Sequence, residues 1–375
     1  MSHARAGLLL LLLSAAPAAA QEEPAPVYQA PKRTIELTGD ALLREEWTRH
    51  LAVAPDTFVD DDRFRGQLRP RVVVDLGKVA FGVGGDFNYS SDENTEEINP
   101  AFPLIRDNYK SRDARVDLAF ARVQPVDWLR LEGGRFVMPV PLTEMIWDRD
   151  LRPQGAALTL DFRNHGSFES VAFTILGAKG SHVFDDSKTS MLVAAVDATL
   201  RAGESAKVEL LGSYVAFFDV DELEPIIRRQ NLRVPGPPPT PLALDYRVVD
   251  LVARLRTSGR VPLQLVAEYC WNTAADTLND GIWAALVLGS TEGHRAGLEY
   301  TYANVDRDAT QGAYAADDFL WTTGWDGHRV DLGVRTGGHA ALHAVGQLQR
   351  FKDSPRGFDN DVWVKRYRLE LRIHG

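Results

Sequence analysis

Along most of this chain, apolar and polar residues take turns. In Arg63-Phe64-Arg65-Gly66-Gln67-Leu68-Arg69-Pro70-Arg71-Val72-Val73-Val74-Asp75, apolar or small residues occupy the even positions and mostly charged ones the odd. Successive side chains of an extended strand point to opposite faces, so such a segment has one greasy and one polar face. The alternation recurs in Val79, Phe81, Val83, Gly85 and Phe87 against Lys78, Asp86 and Asn88. It closes the chain in Tyr367, Leu369, Leu371 and Ile373 against Arg366, Arg368, Glu370 and Arg372. Segments of this kind number about sixteen. They are predicted near 34–48, 63–76, 78–90, 112–124, 128–137, 155–162, 168–178, 190–200, 206–217, 245–256, 261–272, 282–289, 294–304, 328–336, 339–350 and 362–373.

The connections are sorted by length. Seven are short, such as Leu76-Gly77-Lys78 and Arg163-Asn164-His165-Gly166, and most carry the Gly, Asn or Asp that tight hairpins need. Between them fall eight long ones, at 49–62, 91–111, 138–154, 179–189, 218–244, 273–281, 305–327 and 351–361. A soluble sandwich has no reason to alternate its loops by length. A transmembrane antiparallel β-barrel does, with short turns on the periplasmic side and long loops outside. Its polar faces then line an enclosed lumen. Trp47, Tyr89, Trp128, Trp283, Trp363 and Tyr367 fall near strand ends, where an interfacial girdle is expected.

The ends and the composition agree with this. Residues 1–20 have the layout of a cleaved export signal, with Arg5 first, Gly7 to Leu13 apolar, and Ala18-Ala19-Ala20 before Gln21. Residues 21–33 form a Pro-rich linker, and 34–375 form the barrel. The expected address is the bacterial outer membrane, with its lipid and lipopolysaccharide as surroundings. The chain is 25% charged and its mean hydropathy is −0.21, with no later apolar run long enough for a spanning helix. Its single cysteine, Cys270, excludes an intramolecular disulfide framework. A net charge of −10 argues against nucleic-acid binding. The final Ile373-His374-Gly375 departs from the aromatic terminus usual in assembled barrels.

The stretch Gly134-Arg135-Phe136 … Pro139, followed by Trp147-Asp148-Arg149-Asp150-Leu151-Arg152-Pro153-Gln154-Gly155, resembles the hallmark of the bacterial "putative porin" family. That resemblance implies a pore-forming barrel and leaves its cargo open. The barrel also resembles the sixteen-stranded porins, in which the third loop folds inward, and this implies a constriction near 138–154. Glu144, Asp148, Arg149, Asp150 and Arg152 are its candidate residues, with Met145, Ile146 and Trp147 as anchors. In the alternative reading Asp148 and Asp150 cap turns and pair with Arg149 and Arg152. A homotrimer is a further expectation from the same resemblance.

Period two places Arg63, Arg65, Arg69 and Arg71 on one inward stripe, and closure brings Arg366, Arg368 and Arg372 beside Glu36, Asp40, Arg44 and Glu46. These arginines either set a field across a narrow point or brace the wall by pairing with Glu36, Asp40, Asp75 and Glu370. The acidic runs Asp60-Asp61-Asp62 and Asp317-Asp318 are expected in outer loops. No nucleophile elbow, P-loop or zinc-helix motif occurs, so no enzyme, metal site or cofactor is assigned. The expected function is passive diffusion of small hydrophilic solutes or ions. The alternatives are an uptake channel selective for anions through its arginines, or a non-conducting adhesin.

Overall fold

The computed structural model describes residues 33–54, 56–91, 112–180, 188–223, 227–236, 240–291, 293–319, 321–352 and 361–375. The expected signal and nearly all of the linker lie outside these residues. Sixteen strands form among them: β1 (Thr34–Ala54), β2 (Thr57–Asp75), β3 (Val79–Ser90), β4 (Asp113–Val126), β5 (Leu129–Arg135), β6 (Gln154–His165), β7 (Phe168–Lys179) and β8 (Ser190–Arg201). The second half holds β9 (Ala206–Phe218), β10 (Tyr246–Thr257), β11 (Leu263–Asn272), β12 (Asp280–Gly289), β13 (Ala296–Val305), β14 (Trp325–Arg335), β15 (Ala340–Phe351) and β16 (Val364–His374). Each strand pairs antiparallel with its sequence neighbours, and β1 closes the barrel on β16 from Asp40↔His374 to Arg49↔Lys365. Closure leaves no strand edge unpaired, as an apolar surrounding requires.

The alternation works as predicted on the outer face. Leu68, Val83, Ile175, Leu332 and Leu369 all point outward and remain exposed. Tyr89, Trp128 and Tyr367 are about half exposed on that face. Trp283 is not with them: it points inward, is buried, and its ring meets Phe319 edge-on at 5.4 Å. The short turns take the conformations their residues allow, with Gly77 at φ 95° and Asn164 at φ 57°.

The first long connection differs from its expectation. Residues 49–62 are not a loop, because Leu51↔Val59 and Ala52↔Phe58 extend the β1–β2 ladder out to a tight turn at Asp56. The acidic run expected in that loop stands on β2 instead and is partly neutralised in place, since Arg49 pairs with both Asp60 and Asp62.

The inner face falls into two sectors. From β7 to β13 many inward residues are apolar, including Leu176, Val193, Val215, Val248, Val252 and Trp283. From β14 through β1 to β5 many are Arg, Asp and Glu, among them Arg329, Arg368, Glu370, Arg44, Arg69 and Asp86, while β15 turns His343, Gln347 and Gln349 inward. A water-lined wall would not bury so much apolar surface on one side. Something inside the barrel must cover it.

Candidate pore constriction

Two connections supply the cover. The first runs from Phe136 to Pro153, between β5 and β6, and its ends are tied by the Phe136 N–H donating to the Pro153 carbonyl at 3.2 Å. Its side chains reach walls on opposite sides of the barrel. Asp150 meets Arg65 and Arg69 of β2, Thr143 donates to Glu268 of β11 at 2.5 Å, and Glu144 accepts from Arg329 of β14 at 2.7 Å. Only a segment inside the lumen can touch all three. Phe136, Met145, Ile146, Trp147 and Leu151 are buried in the apolar sector. Ile146→Ala is accordingly expected to cost about 2–5 kcal/mol, read as a lower midpoint in urea unfolding.

The second is the β13–β14 connection, residues 306–324, expected from its length and Asp317-Asp318 to be an outer loop. It lies inside as well. Tyr314 stacks between Trp147 (5.9 Å) and Phe217 of β9 (5.0 Å), and its hydroxyl donates to the Gly180 carbonyl at 2.8 Å. Its backbone is bonded to the first segment, with the Asp148 N–H donating to the Tyr314 carbonyl (2.7 Å) and the Ala316 N–H to the Glu144 carbonyl (2.8 Å). At the far side Asp318 lies 3.3 Å from Arg368 and 3.7 Å from Arg44. The run of Ala309, Ala313, Ala315 and Ala316 is small enough to thread this space.

The Trp147–Gly155 pattern is explained by these contacts. Trp147 stacks, the Asp148 carboxylate accepts from the Asp150 N–H at 2.7 Å, and Leu151 is buried. Gly155, the second residue of β6, stands where an added Cβ would lie 2.1 Å from the Gly177 carbonyl oxygen, so no larger residue fits without moving backbone.

Arginines and carboxylates face each other across what space remains. Arg65 and Arg69 lie 3.0 and 2.8 Å from Asp150, and Arg69 also lies 3.2 Å from Asp86. Arg44, Arg368 and Arg372 gather on Glu370 at 2.7, 3.4 and 2.6 Å. Arg71 pairs with Asp40 at 3.0 Å. Arg63 and Arg366 are sealed from solvent on Glu46, at 2.9 and 2.5 Å. Arg152 is buried against Asp117 of β4 at 3.1 Å. Arg149 alone among these named residues has an open side chain, with its nearest carboxylate, Glu144, 3.9 Å away. Burial alone would raise the Asp150 carboxyl, but the Arg69 and Arg65 guanidiniums outweigh it and hold it well below the usual carboxylate range. Asp148 behaves oppositely: burial, with Asp317 and Asp150 beside it, pushes its carboxyl well above that range.

The two readings of the arginines are therefore both present in the geometry. Arg63, Arg366, Arg71 and Arg152 brace wall or loop, while Arg65, Arg69, Arg368 and Arg372 border a cavity of about 340 Å³. The sequence reading missed Arg329 and Asp318, which border the same cavity. Arg329 occupies an inward position of β14 and was legible by parity; the inward course of Asp318 had no comparable signal.

A family model described as "Putative porin" matches residues 33–195. Among curated proteins there is no match. Similar solved structures include Salmonella typhi OmpF in complex with daunomycin, at 10% identity and TM-score 0.53 over 92% of this chain and 98% of that one. A mutant of the Rhodopseudomonas blastica porin matches at 9% identity and TM-score 0.50, over 91% of this chain and 100% of that one. A loop-deletion mutant of OmpT, an outer membrane protein of Vibrio cholerae, matches at 11% identity and TM-score 0.50, over 92% and 99%. At such identities the likeness is one of fold.

Proposed function

We propose, from the premise that this chain is an outer-membrane porin whose residues 33–195 match the "Putative porin" family, that it conducts small hydrophilic solutes and ions passively through a charged constriction. The two inward connections fill the apolar sector and leave the path along the arginine arc. One observation carries this reading: Asp150 and Asp318, on different inward connections, each meet arginines projecting from the opposite wall.

Seven arginines and nine carboxylates border the 340 Å³ cavity, so net charge there is close to balanced and bulk ion selectivity is weak. Several of the unlike charges meet directly, as Asp150 does with Arg65 and Arg69, and the field along the path comes from the rows of such pairs that border it. Glu144, Asp148, Asp150 and Arg149 form one edge of this constriction; Arg65, Arg69, Arg368 and Arg372 form the other. Arg63, Arg71, Arg152 and Arg366 brace the wall and the connection behind them. In this reading the chain works as a channel and not as an enzyme. Its outer face meets lipid and lipopolysaccharide, and three copies associate through part of that face.

Reconstitution of the purified protein into planar bilayers tests the reading. Discrete conductance steps, smaller than those of an unobstructed sixteen-stranded tube, are the expected result. Membranes that take up the protein yet show no steps would refute it.

A further inference from the structure

A second cavity, of about 360 Å³, lies between the β5–β6 connection and the β1–β2 wall, and it shares Asp40, Arg69 and Arg149 with the first. Its lining is of another kind. The connection contributes Val137, Met138, Val140, Pro141 and Leu142, and the opposite wall contributes Arg69 and Arg71. Val137 is 53% exposed, Pro141 is exposed, and Met138 and Leu142 are only half-buried. An inward segment that merely narrows a water path has no use for apolar side chains turned toward water. Such a patch, rimmed by charge, marks a place where ligands dock.

The charge at this patch has a sign. Four arginines and one aspartate border the cavity. Arg69, Arg71 and Arg152 have carboxylates at 2.8, 3.0 and 3.1 Å. Arg149 differs: its side chain is 84% exposed, and Glu144, its nearest carboxylate, is engaged by Arg329 at 2.7 Å. Its planar guanidinium keeps donors to offer a passing carboxylate, in the two-pronged geometry that suits arginine.

We infer that this cavity is a binding site for organic monocarboxylates with an apolar body, aromatic or medium-chain, whose carboxylate Arg149 receives while the body lies on the Val137–Leu142 shelf. The inference rests on the porin reading and narrows its cargo. A small inorganic anion finds the guanidinium but leaves the shelf wet. A neutral apolar solute covers the shelf but gains nothing from Arg149. An amphipathic amine meets four arginines.

Single-channel recordings of the purified protein in potassium chloride, with benzoate as probe, decide it. Benzoate is expected to interrupt the current saturably, with a half-blocking concentration at least ten-fold below that of acetate, while benzyl alcohol and benzylamine do not block. Arg149→Gln should raise the benzoate value at least five-fold, and Met138→Ser should narrow the gap between benzoate and acetate. Conductance steps that persist with benzoate and acetate blocking alike, or with neither blocking, would overturn the site and leave the porin reading standing. Absence of steps would count against the porin reading itself.

Discussion

Asp150→Asn will move the zero-current potential in a salt gradient toward anions, with the chloride-to-potassium permeability ratio rising several-fold. The carboxylate it removes lies 3.0 Å from Arg65 and 2.8 Å from Arg69. Without it Arg65 and Arg69 lose that carboxylate, while Arg69 keeps Asp86 at 3.2 Å, so the positive charge bordering the cavity rises. Because charge acts strongly where walls of low dielectric focus the field, one such change outweighs many in the open vestibules. The pH dependence follows from the depressed Asp150 carboxyl, which the two arginines keep ionised against the opposing effect of burial. Its contribution is present in full above the ordinary aspartate value of about 4 and is lost only as pH falls through the lower folded value. Asp150 should therefore stay ionised from neutral pH to about pH 5, and the difference between wild type and Asp150→Asn should be the same at both ends of that interval; a difference that disappears at about pH 5 would argue against the pairing.

The second large effect concerns stability. Glu46 receives Arg63 and Arg366, all three at 2% exposure or less, across the seam where β16, β1 and β2 meet. Removing one member of a buried charge cluster strands the others away from water, which typically costs about 3–5 kcal/mol. Glu46→Gln is expected to lower the unfolding free energy in urea by about that amount. As a control, Asp161→Asn breaks a pair whose arginine, Arg163, is largely in solvent, and it should cost less than about 1 kcal/mol. Equal effects from the two substitutions would contradict the burial assigned to Glu46.

Much of this fold is legible in the sequence because a strand's two faces alternate residue by residue. Arg63, Arg65 and Arg69 could be placed inward by parity alone, and β1 could be set beside β16 by counting. The inward course of the β5–β6 connection came from its place as the third long connection of a barrel that resembles the sixteen-stranded porins. The β13–β14 connection left no comparable mark, since Asp317-Asp318 has the composition of a solvated tip. One signal was present and went unread. Ser190-Met191-Leu192-Val193-Ala194-Ala195-Val196 is apolar on both faces, as are parts of β9 and β10. A strand greasy on its lumen side needs an inner partner, and the β13–β14 connection is part of it, with Leu223, Ile227 and Leu242 of the β9–β10 connection in the same buried cluster. Trp283 was misplaced for the same reason: it belongs to that inner surface. Residues 49–62 were expected as a loop, but Leu51↔Val59 and Ala52↔Phe58 continue the β1–β2 ladder through them.

The tip of the β5–β6 connection, at Arg149, borders the cavity through which solutes are proposed to pass. Arg149→Cys in a Cys270→Ala background places one accessible thiol there; the native Cys270 is buried. Single channels are then exposed to a bulky methanethiosulfonate reagent during recording. A single downward step in current per channel, reversed by a reducing agent, is the predicted result. Complete labelling by mass spectrometry with the current unchanged would contradict it.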